Sequence, residues 1–129
     1  MSRRAAYALM AAALIAVGLT TRLPMIGWPP SLAKYAGSII WGAMLYMTLA
    51  FLLPRLRAPV LLALALAIGA AVEFSQLWHR PWLDDFRRTT VGVLLIGRFF
   101  SWWDIVCYGI GMAGAWLYDV ALVRKRLAP

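Results

Sequence analysis

Residues 58–78 read APVLLALALAIGAAVEFSQLW, and this stretch decides the class of fold. Glu73 is its only charged residue. A helix that crosses the hydrocarbon core of a bilayer needs about 20 predominantly apolar residues, and this stretch has that length. Pro59 suits the first turn of such a helix, where its missing N–H group costs nothing. The stretch therefore predicts a transmembrane helix over residues 59–78.

Three further apolar stretches reach spanning length. They predict helices over residues 5–21, 35–53 and 101–123. The first follows a basic Ser-Arg-Arg start and so also fits a signal peptide, but no small-x-small cleavage site comes after it. We therefore expect an all-α polytopic membrane protein, a bundle of four transmembrane helices in one integral-membrane domain over residues 1–129.

The composition of the whole chain agrees with this class. Its 129 residues are 64% hydrophobic and 14% charged, whereas soluble domains are about 45–50% apolar and about 25% charged. A soluble chain this short cannot bury so much apolar surface, which excludes the soluble and the disordered classes. The net charge is +8, but the cations lie in short clusters between apolar runs. That pattern indicates a lipid bilayer as partner and no nucleic acid.

The single cysteine, Cys107, lies in the middle of an apolar run. One cysteine excludes both a disulfide framework and a cysteine-based zinc site. No cofactor is expected.

Four spans place both termini on one side of the membrane, and the basic residues indicate which side. With the termini inside, seven cations are cytoplasmic and six are external. The cytoplasmic set is Arg3, Arg4, Arg55, Arg57, Arg124, Lys125 and Arg126, and the external set is Arg22, Lys34, Arg80, Arg87, Arg88 and Arg98. Five of the seven tryptophans lie in or beside the outer loops, as expected at a membrane–water interface. We expect a multi-pass protein of the bacterial inner (plasma) membrane with cytoplasmic termini.

The longest connection, residues 79–100, is a partly apolar outer loop between the third and fourth spanning helices. It opens with HRPWLDDFRR at residues 79–88 and turns apolar over Val91–Ile96. This apolar run is too short to span, so it predicts a surface helix or a re-entrant segment. The histidine and the two aspartates of the loop fit a solvated loop better than a metal site.

Glu73 is the most informative candidate for a functional site. It lies about 22 Å along its helix at about 1.5 Å per residue, and acids at such a depth normally face the bundle interior with a partner. Gln76 shares its helix face, and Arg80 is aligned as well if the helix extends that far. The sequence leaves two interpretations open: a buried polar site that opens outwards, or a polar staple between helices.

Two other acids have both structural and functional interpretations. Asp104 follows Ser101 in the pattern of a capping box. Alternatively, it supplies a second carboxylate near Glu73, and paired carboxylates catalyse proton transfer or bind a cation. Asp119 is expected to be an interface acid near Arg124 without a catalytic role.

Residues 109–114 spell GxGxxG, the pattern of a dinucleotide-binding loop. That loop requires a preceding strand and the start of a helix, whereas this pattern lies in the middle of an apolar helix. Small residues there allow helices to pack closely, as in Gly111-x-x-x-Ala115. We therefore expect packing and not nucleotide binding.

Several short motifs, taken in chain order, resemble one known family. They are Lys34-Tyr35-x-Gly37-Ser38, Trp41, Glu73-x-x-Gln76-Leu77, Pro81-Trp82-Leu83-Asp84, Gly97-Arg98-x-Phe100-Ser101-Trp102-x-Asp104 and Tyr108-x-x-Gly111. Through them nearly the whole chain resembles the bacterial membrane family catalogued as domain of unknown function twenty-eight-oh-nine. The later part is more loosely similar to VanZ-like membrane proteins, with Glu-x-x-Gln on one helix and an Asp opening the next.

The two resemblances carry different implications. The first family implies the membrane class without naming a reaction. VanZ-like proteins are associated with glycopeptide resistance at the cell envelope, and similarity to them implies peptidoglycan or lipid-linked precursors as ligands.

The residues together favour a non-enzymatic envelope protein whose outward-facing polar site binds a lipid-linked or amphipathic ligand. The alternative is a membrane enzyme that uses Glu73 and Asp104 on a lipid-linked precursor. A small proton-coupled transporter ranks last, because Glu73 lies far from the midplane and the halves show no clear repeat. Association of copies of the chain stays open. The predicted ligand-binding residues are Lys34, Tyr35, Glu73, Gln76, Arg80, Asp84, Arg87, Asp104 and Tyr108.

The orientation gives the first testable prediction. Reporter fusions after Arg126 and within residues 55–57 should read cytoplasmic, because these positions belong to the more basic side. Fusions near Trp28 and Asp84 should read external. Digestion of the C-terminus by a protease added to the outer side would reverse this topology.

Overall fold

The computed structural model describes residues 1–21, 23, 27, 29–78, 81–92 and 102–128, and all of the regular secondary structure in them is helical. The helices are α1 (Arg3–Thr20), α2 (Pro30–Leu52), α3 (Ala58–Ser75), the short α4 (Pro81–Arg87) and α5 (Trp102–Tyr118), which continues through a π-helical segment at Asp119–Val123 into α6 (Arg124–Arg126). Helices α1, α2 and α3 and the continuous helix Trp102–Arg126 are each long and apolar enough to cross a membrane. The predicted all-α architecture with four spanning helices is confirmed.

Two helix ends differ from the sequence prediction. Helix α2 begins at Pro30, ahead of the predicted start at residue 35, because proline is accommodated in the first helical turn. Helix α3 ends at Ser75, ahead of the predicted end at residue 78. The next three residues form a tighter turn, in which each N–H group bonds to the carbonyl three residues back at 3.0–3.1 Å. The helix face that carries Glu73 therefore does not extend to Arg80, and Arg80 itself lies outside the described residues.

The long outer loop is helical in its charged half and again at the start of its apolar run. Helix α4 covers Pro81–Arg87, and residues 90–92 are helical as well. The sequence placed a surface helix or re-entrant segment over Val91–Ile96. Most of that apolar run, from residue 93 onward, falls outside the described residues.

Helix α2 lies at the centre of the bundle. It packs most extensively against α5 on one side and α1 on the other, and α3 packs against α5 and α2. The buried core includes Tyr7, Tyr46, Met47, Leu61 and Met112. Many large apolar side chains on the outside of the spanning helices are exposed, as expected of surfaces that face lipid.

The contact between α2 and α5 depends on two glycines. A Cβ atom on Gly111 would lie 2.8 Å from the carbonyl carbon of Ile39 and 2.9 Å from the amide nitrogen of Ala43. A Cβ atom on Gly42 would lie 2.8 Å from the Cα atom of Tyr108. These distances are shorter than any normal van der Waals contact, and the atoms met are backbone atoms that cannot rotate away. The close packing predicted for Gly111 is confirmed.

Both chain ends lie at the same end of the bundle. The amide nitrogen of Arg3 donates to the carbonyl of Ala128 at 3.1 Å. We call this the terminal end; it holds the starts of α1 and α3 and the ends of α2 and α6. The opposite end, where α3 finishes and α5 begins, we call the Glu73 end.

Two glycines of the same pattern give a matched stability test. Gly111→Ala should lower the free energy of unfolding in detergent by at least about 1–3 kcal/mol, because two helix backbones must separate. Gly114→Ala should change it by less than about 0.5 kcal/mol, because among the described residues no atom of another helix lies within 4 Å of the new Cβ. Equal melting temperatures for the two variants would contradict the packing role of Gly111.

Candidate functional site

The side chain of Glu73 is fully buried in the last turn of α3, with 0% of the residue exposed. Tyr108 of α5 donates its hydroxyl to Oε1 of Glu73 at 2.6 Å. Gln76, three residues along the chain, approaches the same oxygen through Nε2 at 3.4 Å and is itself 3% exposed. The structure thus brings together three residues that the sequence singled out. We call them the Glu73 cluster.

Tyr108 is held firmly by its neighbours. Its ring packs against Trp41 of α2 with centroids 4.6 Å apart and planes tilted by 42°. The ring also lies against α3, since a Cβ atom on Gly69 would be at an ordinary contact distance, 3.5 Å, from Cδ2 of Tyr108. The hydroxyl that reaches Glu73 is therefore positioned by α2 and α3 together.

Asp104 lies in the first turn of α5 and is 6% exposed. Ser38 of α2 approaches its Oδ1 at 3.5 Å, and the ammonium group of Lys34 lies close enough to attract it electrostatically. Asp104 is one turn before Tyr108 on the same helix, so both predicted acids border that tyrosine. Ser101, the predicted capping partner, lies outside the described residues.

Two of the predicted ligand-binding residues pair with each other. Nη1 of Arg87 lies 3.0 Å from Oδ1 of Asp84 and 2.9 Å from the carbonyl of Trp78. Nη2 of Arg87 donates to the carbonyl of Ser75, at the end of α3. A cation suits the negative end of a helix dipole, so Arg87 fastens α4 to α3.

One N–H group of Arg87 has no partner among the described residues. The residue is 3% exposed, and within the described part of the chain its buried Nε atom has no hydrogen-bond partner. Buried donors in native proteins are normally satisfied. The unpaired N–H group is therefore a second polar feature of the Glu73 end.

Aromatic side chains surround this end of the bundle. Phe74 meets Trp102 edge-to-face at 5.7 Å between ring centroids, and Trp78 meets Trp82 in the same way at 6.2 Å. All four side chains are exposed. Tyr35, the remaining predicted site residue, is exposed as well. Such residues suit the headgroup level of a bilayer.

Within the described ranges, no group of three or more His, Cys, Asp or Glu side chains could hold a metal ion. In the outer loop, Asp84 pairs with Arg87 and Asp85 with Arg88. His79 lies outside these ranges.

A second fully buried carboxylate, that of Asp119, lies at the terminal end. It is fully buried in the π-helical segment. Tyr7 of α1 donates to its Oδ1 at 2.6 Å, and Tyr46 of α2 donates to its Oδ2 at 2.6 Å. Nε of Arg124 lies 2.9 Å from Oδ2, and Nη2 of Arg124 donates to the carbonyl of Leu56 at 3.0 Å. We call these residues the Asp119 network.

The sequence identified only part of this network. The contact of Asp119 with Arg124 is confirmed, but the two tyrosine donors were missed. A tyrosine inside an apolar span is a usable signal, because its buried hydroxyl requires a partner. Tyr7 and Tyr46 both meet that description.

The sequence model of a family described as "Protein of unknown function (DUF2809)" matches residues 28–112. The chain belongs to this family. The match is narrower than the nearly whole-chain resemblance expected from the motifs, but it contains every predicted ligand-binding residue. Three members of the Asp119 network lie outside it, namely Tyr7, Asp119 and Arg124. No solved structure matches the chain.

The Asp119 network gives a prediction about stability. Asp119→Asn should cost about 3 kcal/mol of unfolding free energy in detergent, because it leaves the guanidinium group of Arg124 without its counter-charge. Adding Arg124→Gln should recover part of the loss, with a coupling energy of about 1–3 kcal/mol.

The control for this prediction is Asp85→Asn. It breaks the Asp85–Arg88 pair, in which both side chains are exposed, at 72% and 67%, and should cost less than about 1 kcal/mol. A loss for Asp119→Asn no larger than this would contradict the assigned role of the network.

Proposed function

We propose that the protein is an integral membrane protein of the bacterial inner membrane, and that the Glu73 cluster is the base of a site for a lipid-linked or amphipathic ligand. The site opens to the outer side, and both chain termini are cytoplasmic. The observation that carries the proposal is the gathering of Glu73, Tyr108 and Gln76, all buried or partly buried, at a bundle end lined with exposed aromatic rings.

The chemistry of this end matches both halves of an amphipathic molecule. The exposed Trp and Phe side chains offer surface to an isoprenoid or acyl chain at headgroup level. Lys34 offers positive charge to a phosphate or carboxylate. The unpaired Nε–H group of Arg87 offers the same ligand a hydrogen-bond donor. The looser resemblance to VanZ-like proteins favours the same ligand class.

The position of the Glu73 cluster in the chain supports a functional role for Glu73. The Glu73 cluster lies wholly inside the region that defines the family, whereas most of the Asp119 network does not. A feature within the shared region is the better candidate for a shared function.

A membrane enzyme is the second candidate. Tyr108 donates to Glu73, and Asp104 lies one turn earlier on the same helix, so two carboxyl groups lie at this end of the bundle. Such a pair could act as acid and base on a lipid-linked precursor. Turnover of a polyprenyl diphosphate by the wild type, lost in both Glu73→Gln and Asp104→Asn, would favour this candidate over binding alone.

Two tyrosines provide a matched test of ligand binding. Tyr108 and Tyr7 each donate a hydroxyl to a buried carboxylate at 2.6 Å, at opposite ends of the bundle. In detergent, wild-type protein should retain a polyprenyl phosphate in native mass spectrometry. Tyr108→Phe should weaken retention about tenfold, the effect of about 1.4 kcal/mol. It should also lower the melting temperature, because the buried carboxylate of Glu73 loses a hydrogen-bond donor.

Tyr7→Phe is the control for this test. It should keep the lipid but melt at a lower temperature, because its hydroxyl belongs to the Asp119 network. Equal lipid retention in wild type and Tyr108→Phe would contradict the proposed site.

A further inference from the structure

The terminal end carries seven cations, of which three have defined partners. Arg3 donates to the carbonyls of Leu127 and Arg124 at 3.0 and 2.8 Å. Arg4 donates to the carbonyl of Phe51 at 3.1 Å. Arg124 pairs with Asp119. The other four side chains are exposed, and within the described residues none of them has a hydrogen bond or ion pair. We call them the basic rim: Arg55, Arg57, Lys125 and Arg126.

The fold brings the two halves of the basic rim together. Nη2 of Arg124 donates to the carbonyl of Leu56 at 3.0 Å, across 68 residues of sequence. Leu56 lies between Arg55 and Arg57, and Arg124 directly precedes the pair at residues 125–126. This one hydrogen bond places both basic segments at the same corner of the bundle.

Within the part of the chain that the structure describes, no acid pairs with the basic rim. Asp119, which lies at this end, is fully buried and already paired with Arg124. At the Glu73 end, Arg87 and Arg88 are each paired with an aspartate, and the exposed Lys34 interacts electrostatically with Asp104. Among the described residues, unpaired exposed positive charge is therefore concentrated at the terminal end.

We propose that the basic rim binds the phosphate headgroups of anionic phospholipids in the leaflet that faces the terminal end. Four cations at the ends of spanning helices lie at headgroup depth, and their flexible stems can lie along the lipid while the charges reach the phosphates. Each Lys or Arg near an anionic membrane surface contributes about 1 kcal/mol, roughly a fivefold gain in affinity. This site is separate from the Glu73 cluster and does not depend on the function proposed for it.

The test compares lipids that differ only in headgroup. Purified protein in a neutral detergent is titrated with phosphatidylglycerol or with phosphatidylcholine of the same acyl chains, and bound lipid is counted by native mass spectrometry. The wild type should prefer phosphatidylglycerol, and the preference should fall with added salt because exposed charges are screened. Changing all four rim residues to Gln should weaken phosphatidylglycerol binding at least about tenfold and leave phosphatidylcholine binding unchanged.

Further variants locate the effect. Replacing the three rim arginines by Lys keeps the charge and should keep the preference. Arg88→Gln, which removes an exposed cation of the Glu73 end, should also keep it, so a failure here is distinct from a failure of the proposed ligand site. If the fourfold variant does not fold, two double variants replace it: Arg55→Gln/Arg57→Gln and Lys125→Gln/Arg126→Gln. Each should show a smaller loss of phosphatidylglycerol binding.

Three results would overturn the proposal. The first is equal binding of the two lipids by the wild type. The second is an undiminished preference in the fourfold or both double variants. The third is competition by soluble glycerol phosphate as effective as that by the lipid, which would identify a site for free phosphate.

Discussion

A carboxylate that is removed from water between spanning helices must receive hydrogen-bond donors, and Asp119 is the acid on which this bundle depends most. Its two oxygens accept hydrogen bonds from Tyr7 of α1, Tyr46 of α2 and Arg124 of α6. Arg124 extends the network to the turn before α3 through the carbonyl of Leu56. One buried charge thus connects all of the spanning helices at the terminal end, and the π-helical segment places it there. Because hydrophobic burial does not distinguish helix neighbours from lipid, such directional contacts select one arrangement.

Close packing of α2 against α5 supplies the second constraint. Gly42 and Gly111 allow the two backbones to touch, and this contact sets the position of Tyr108 on α5. The tyrosine then reaches Glu73 on α3. The candidate site is therefore a consequence of helix packing. The GxGxxG pattern at residues 109–114 is also found in nucleotide-binding loops. Here its Gly111 allows the helix contact that positions Tyr108 in the Glu73 cluster.

The sequence was sufficient for the class of fold, and three of the residues that it singled out, Glu73, Gln76 and Tyr108, lie together in the structure. Long apolar stretches identify spanning helices because the thickness of the bilayer fixes their length, and an acid such as Glu73 is conspicuous within them. Partners contributed by other helices were not predictable, because helical periodicity does not reveal which faces meet. The tyrosine donors of the Asp119 network and the contacts of Arg87 with the carbonyls of Ser75 and Trp78 belong to this kind. The end of α3 was predicted three residues too late. A tight turn at residues 76–78 ends the helix, and apolar composition alone does not indicate such a turn.

The central claim is that two buried acids have different roles: Asp119 maintains the fold, and Glu73 serves a ligand. The most direct measurement is the melting temperature of Glu73→Gln in detergent, alone and combined with neutralisation of each cation of the Glu73 end. We expect Glu73→Gln to melt at or above the wild-type temperature, because a buried charge is removed while Gln can still accept from Tyr108. A clear loss of stability that is restored by neutralising one particular cation would show that Glu73 is a structural staple and would contradict the account.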